Sequence, residues 1–110
     1  MNVSTGQDQK IRIAVAGLGN RGAWGIPAIL ARPNLQLVAL IDQYPEMIKF
    51  AKREFNLRDI PAFTSLQDCL DRTDFDALAV LTPDGTHADL VIPALKANKW
   101  VFVDKPLEIS

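Results

Sequence analysis

Residues 11–22 read IRIAVAGLGNRG. An apolar run from Ile11 to Ala16 empties into Gly17-x-Gly19-x-x-Gly22, and a helical pattern follows. A strand that ends in this glycine pattern and feeds a helix is how doubly wound α/β proteins hold a dinucleotide pyrophosphate. Gly17 would allow the tight turn, Gly19 would let the backbone approach the phosphates, and Gly22 would let the helix pack closely on the strand. The phosphate charge would then rest on N–H groups at the positive end of the helix dipole. Three glycines also describe an ordinary turn, so the reading depends on the rest of the chain.

That remainder alternates short apolar runs with helical patterns. Strands are expected at Lys10–Ala16, Leu35–Ile41, Phe75–Leu81 and Lys99–Val103, with a minimal edge strand at Pro61–Phe63. Their apolarity is continuous rather than alternating, which marks strands buried on both faces of a parallel sheet. Helices are expected at Arg21–Ala31, Pro45–Phe55, Leu66–Leu70 and Thr86–Ala97. Gly25 and Pro27 fall inside the first, where a proline predicts a kink or a late start. The second places Met47, Ile48, Ala51 and Phe55 on one face. The last opens with Thr86-x-x-Asp89, close to a capping box. Its predicted buried stripe is Ala88, Val91, Ile92 and Leu95, and Pro93 predicts a bend. The fold class expected is α/β, a doubly wound parallel sheet of Rossmann type with right-handed crossovers.

With 110 residues, the length fits one domain. A hydrophobic fraction of 48% and a charged fraction of 23% are ordinary for a globular protein. The net charge of −1 makes no electrostatic case for nucleic acid or an anionic membrane surface. Cys69 stands alone, so an intrachain disulfide and a cysteine zinc cluster are both ruled out, and a small core residue is expected. Residues 1–10 are polar and read as a disordered lead, without the apolar core of a secretory signal. No apolar run approaches the ~20 residues of a membrane span. A cytoplasmic protein is the default expectation.

Asp42 ends the second strand, about twenty residues beyond Gly22, where an acidic side chain accepts hydrogen bonds from the adenosine ribose of NAD. The same carboxylate would repel a 2′-phosphate, which favours NAD over NADP. Alone, it is also a strand-end aspartate opening a turn. Asn20 and Arg21 could bring backbone N–H groups to the pyrophosphate. For the Arg21 side chain, a charge-assisted contact and a solvated helix start are equally open. Thr82-Pro83-Asp84 follows the third long strand at its carboxyl end, where ligands of open α/β sheets bind. Proline there also simply stops a strand. His87 opens the next helix, a position more often structural than catalytic, and with one histidine there is no metal pair. Asp104-Lys105-Pro106 follows the fourth strand. Lys105 could polarise an oxygen or transfer a proton beside a nicotinamide, although the tripeptide in isolation reads as a surface loop.

Taken in order, IRIAVAGLGNRG, VALID and LAVLTPDGTHADLVIPALKANKWVFVDKPL resemble the Gfo/Idh/MocA oxidoreductases, over nearly all of Ile11 to Leu107. The resemblance implies that Gly17, Gly19 and Gly22 form the pyrophosphate turn and that Asp42 contacts the ribose. It also implies that Thr82, Pro83 and His87 border the cofactor cleft, and that Lys105 is the lysine of the family's Glu-Lys-Pro motif, near the nicotinamide. Asp104 stands where the family usually has Glu, and Asp84 where Asn is common. Relatives continue through another strand into a substrate domain. The resemblance therefore implies a dinucleotide-binding domain at 11–110, truncated before the last strand and the substrate domain. Ser110 falls where a helix is due to begin, which reads as a cut. The expected activity of the parent is NAD-dependent hydride transfer to or from a sugar, cyclitol or polyol carbon, with self-association through the substrate domain. The 110 residues alone are expected to bind NAD and catalyse nothing. Two alternatives stay open: an NAD-dependent glycosidase with a transient redox cycle, and a non-catalytic nucleotide sensor.

Overall fold

Strand residues 14–16, 39–41 and 77–80 are shielded from water without the alternation of a half-solvated sheet, so each of these strands must be covered on both faces. The computed structural model describes residues 10–81 and 87–103, with side chains except at 20–23, 87 and 88. Its elements are β1 (Ile11–Ala16), α1 (Asn20–Leu30), β2 (Leu35–Ile41), α2 (Pro45–Glu54), β3 (Ala62–Phe63), α3 (Leu66–Arg72), β4 (Ala77–Val80), α4 (His87–Lys96) and β5 (Trp100–Val103). The five strands form one parallel sheet in the order β3-β2-β1-β4-β5. The doubly wound expectation therefore holds. Because β2 and β4 flank β1 on opposite sides, the winding direction switches between β1 and β4, and open α/β sheets bind ligands beyond the carboxyl ends of the strands at such a point.

The helices form two layers. On one face, α1 contributes Ile26 and Ile29, and α2 contributes Met47, Ile48 and Ala51, packed on Ile13, Val15, Leu37, Leu40, Ala77 and Ala79. On the other, α3 contributes Leu66, Cys69 and Leu70, and α4 contributes Leu90, Val91 and Ala94, packed on Ala14, Ala16, Ala39, Ile41, Leu78 and Val80. Each fully buried leucine, isoleucine or valine stabilises the fold by roughly 1.5–3 kcal/mol relative to exposure. Both α2 and α4 end on an asparagine with positive φ, Asn56 at 57° and Asn98 at 65°. There Leu57 N–H donates to Lys52 O and Lys99 N–H to Ala94 O, closing the last turn before the chain returns to the sheet.

Two expectations are corrected. Helix α1 starts without delay at Asn20 and runs through Pro27. An exposed proline removes one N–H and leaves the rest of the ladder, which the packing of Ile26 and Ile29 supports. In α4 the buried stripe is Leu90, Val91 and Ala94, whereas Ile92 and Leu95 are 51% and 55% exposed. Apolar residues occupy nearly the whole circumference of α4, so periodicity could not choose its inner face. The strands choose it: Ala14, Ala16 and Ala39 make a shallow surface that Ala94 can approach. The expected Thr86 cap lies outside the described residues.

Cys69 is buried as expected, and burial pushes its thiol up to about 11, so it is protonated and inert at neutral pH. Among the described residues no helix is long and apolar enough to cross a membrane.

Candidate functional site

The carboxyl end of β1 is held by its neighbours on both sides. Gly17 N–H donates to Ile41 O at 2.9 Å, and Leu81 N–H donates to Ala16 O at 2.7 Å. The chain then turns sharply at Gly17, whose φ of 99° is open to glycine and strained for any other residue. Leu18 drops its side chain into the core beneath the turn, at 1% exposure. Gly19 is the residue before α1, and a β-carbon built on it would meet nothing within 4 Å among the described residues. The space over Gly19 is thus open and borders the first turn of a helix whose leading N–H groups have no intrahelical partners. Gly19 has no side chain to cap them, and the first turn carries no acidic residue. Backbone donors and a dipole end beside free space are the features that an anion site requires.

Asp42 lies directly beyond β2 and faces this turn. Its Oδ2 accepts from Leu18 N–H and its Oδ1 from Tyr44 N–H, both at 2.9 Å. The backbone of Asp42 is held in turn by donation of its N–H to Phe63 O at 3.1 Å. Each carboxylate oxygen keeps acceptor capacity beyond the one bond it makes. The carboxylate is half-buried, so hydroxyl groups on a ligand can reach it.

The structure thus brings together Gly17, Gly19 and Asp42 at the ends of β1 and β2. Asn20, Arg21 and Gly22 form the first turn of α1, their side chains outside the description, and His87 opens α4 in the same way. Thr82, Pro83, Asp104 and Lys105 lie outside the described residues, although β4 and β5 both run toward the same end of the sheet.

Gly25 has a role that the sequence reading passed over. A β-carbon at this position would sit 2.5 Å from Leu81 Cδ1, so its absence lets α1 press against the chain leaving β4. The signal was available: Gly25 lies three residues after Gly22, on the same side of a helix. The Leu18–Asp42 bond left no such signal, because it joins a backbone group to a side chain 24 positions away. A separate depression of about 470 Å3, lined by Lys10, Ile11, Asp76, Ala77, Trp100 and Phe102, lies at the opposite end of the sheet. It has neither the glycine turn nor a helix start. Among the described residues no cluster of acidic, histidine or cysteine side chains could hold a metal ion.

Known proteins carry the same unit. The model of the Gfo/Idh/MocA group, described as an oxidoreductase family with an NAD-binding Rossmann fold, matches residues 11–110. The scyllo-inositol 2-dehydrogenase (NAD(+)) of Bacillus subtilis is 29% identical over 94% of this chain and 30% of its own length. A glycosyl hydrolase family 109 protein of Porphyromonas gingivalis is 27% identical over 93% of this chain and 23% of its own. The WlbA dehydrogenase of Bordetella pertussis, solved with NADH and UDP-GlcNAcA, superposes with a TM-score of 0.80 at 31% identity, over 89% of this chain and 29% of that one. This chain therefore spans less than a third of the length of each relative. With its glycine turn, switch point and strand order in agreement with the matched family, the chain belongs to the Gfo/Idh/MocA oxidoreductases, through their NAD-binding Rossmann domain.

Proposed function

We propose that this chain is the dinucleotide-binding part of an NAD-dependent oxidoreductase acting on a sugar, cyclitol or polyol carbon. The observation that carries the reading is the open space over Gly19 at the start of α1, with Gly17 turned to φ 99° beside it. The residues fit the group: the N–H groups of Gly19 and the first turn of α1 would hold the pyrophosphate, and Gly22 would let α1 pack closely on β1. Asp42 would accept from the ribose hydroxyls through its remaining lone pairs and would repel a 2′-phosphate, favouring NAD. Asn20 and Arg21 would edge the phosphates, while Thr82, Pro83 and His87 would border the cleft.

Bound NAD would supply the hydride acceptor or, reduced, the donor. Lys105, just past β5, would move the proton at the reacting oxygen of the substrate, with Asp104 orienting its ammonium. The substrate class follows the names of the relatives, which act on or bind inositol and a sugar nucleotide. In this reading residues 11–110 are the dinucleotide unit, the substrate wall belongs to the length that this chain does not span, and the 110 residues turn nothing over. A second reading, an NAD-dependent glycosidase, draws support from the family 109 relative. Net reduction of NAD separates the two, since the glycosidase cycle regenerates its cofactor.

Calorimetric titration of the chain with NAD and NADP tests the binding role. Binding is expected, with NAD preferred by about tenfold or more, the scale of one charge-assisted contact. Absence of binding to either nucleotide would sink the reading, and a preference for NADP would remove the ribose role of Asp42. Oxidation of a polyol panel by the 110 residues alone would refute the incomplete substrate site.

A further inference from the structure

We infer that Asp42 is a positioning residue for the glycine turn, in addition to any contact it makes with a ribose. The inference rests on the dinucleotide reading for its functional consequence, and on geometry alone for the link itself. Strand β2 carries one residue more than β1 over their shared length. Ile13 pairs with Leu37 but Ala14 with Ala39, so Val38 has no partner across the ladder. This bulge takes up one residue of β2, sets Ile41 opposite Ala16, and brings Asp42 level with Gly17, where the glycine turn begins.

From there the carboxylate joins two turns. One oxygen holds Leu18 N–H, in the middle of the glycine turn, and the other holds Tyr44 N–H at the entry to α2. Leu18 is fixed twice, by its buried side chain and by this bond, and Gly17 and Gly19 on either side are fixed with it. A consequence is that Leu18 N–H is not a phosphate donor. The donors left are those of Gly19 and the first turn of α1, and Asp42 keeps them aimed. A residue that only read the ribose would leave phosphate binding alone when replaced. Asp42 would not.

The test uses Asp42→Asn in the whole chain, because asparagine keeps the shape but offers one acceptor oxygen in place of two. Amide hydrogen exchange is followed at Leu18, Tyr44, Val15 and Leu40, and affinities are measured for inorganic pyrophosphate, NAD and NADP. In the wild type the Leu18 and Tyr44 amides should be protected. In the variant, exchange at one or both should rise roughly tenfold while Val15 and Leu40 stay unchanged. Pyrophosphate and NAD should weaken, by roughly tenfold, and NADP by less, because removing the carboxylate also removes its repulsion of the 2′-phosphate. Unchanged pyrophosphate binding with NADP unchanged or tightened would overturn the inference in favour of a ribose reader. Faster exchange at all four amides would overturn it in favour of general loosening of the sheet. An unprotected Leu18 amide in the wild type would overturn it whether or not the variant folds. If the wild type binds no nucleotide, the functional reading fails by itself, and the exchange measurements still decide the link.

Discussion

At its amino end β1 is tied down by side chains, and at its carboxyl end by backbone groups around an open space. Arg12 reaches from β1 to the chain entering β4, with Nη2 on Asp76 Oδ1 at 2.9 Å and Nη1 on Asp74 Oδ2 at 2.8 Å. The backbone N–H of Arg12 also donates to Asp76 Oδ2, and Asp76 N–H returns to Arg12 O. Beside them Lys99 donates to Phe75 O at 2.7 Å and lies 4.7 Å above the Phe75 ring. Every charge in this group has its partner within the chain. Sixteen ångströms or so along a six-residue strand, the order is reversed. Glycines replace side chains, Asp42 holds the turn through N–H groups, and the helix start beside Gly19 faces open space. One end fastens the sheet with paired side chains, and the other leaves backbone donors beside an open space.

This contrast can be broken by substitutions at either end. The largest effect on stability should come from Phe75→Ala, which empties a fully buried aromatic site at the amino end and should cost about 3–5 kcal/mol. Urea unfolding measures it, and NAD affinity of the protein that remains folded should stay within about twofold, since a distant site adds independently. A large loss of affinity would show that the two ends are coupled. Gly17→Val should cost about 1–3 kcal/mol, because a β-branched residue is forced to positive φ, and it should abolish NAD binding. Gly25→Ala should cost about 1 kcal/mol through its clash with Leu81, and Leu81→Ala in the same chain should recover part of it. Additivity of that pair in denaturation would mean α1 is not pressed against Leu81.

The smallest effect concerns acid. Hydrogen bonds from Arg12 hold the Asp76 carboxyl below its ordinary value. A carboxylate lowered in the folded state contributes stability that is complete above its unfolded value, near pH 4, and is lost as pH falls through the folded value. The melting-temperature difference between wild type and Asp76→Asn should therefore be largest near neutrality and shrink below about pH 4. Asp76 is partly exposed, so the difference should be a few degrees at most. A gap that persists at low pH would assign the effect to packing.

How much of this was legible in the sequence differs between the two ends. Continuous apolar runs placed β1 and β2 to within a residue, and Gly17-x-Gly19 at the end of such a run marked the turn. Those signals are local, arising from residues adjacent in the chain. The partners of Arg12 lie over sixty positions away, and the bond from Leu18 to Asp42 spans 24, so neither leaves a periodic trace. The late start allowed for at Pro27 is overruled by packing, and the inner face of α4 is hidden because apolar residues occupy nearly its whole circumference. Gly25 carries no signal of its contact with Leu81 beyond its helical spacing from Gly22.

The central claim is that the space over Gly19 belongs to the dinucleotide phosphates. Gly19→Ala tests it most directly, since the added methyl group meets nothing within 4 Å among the described residues. Thermal unfolding without ligand should change by less than about 0.5 kcal/mol, and NAD affinity measured by calorimetry on the same sample should fall by about tenfold or more. An unchanged affinity at unchanged stability would contradict the account, because a methyl group would then fit where a phosphate is held to sit.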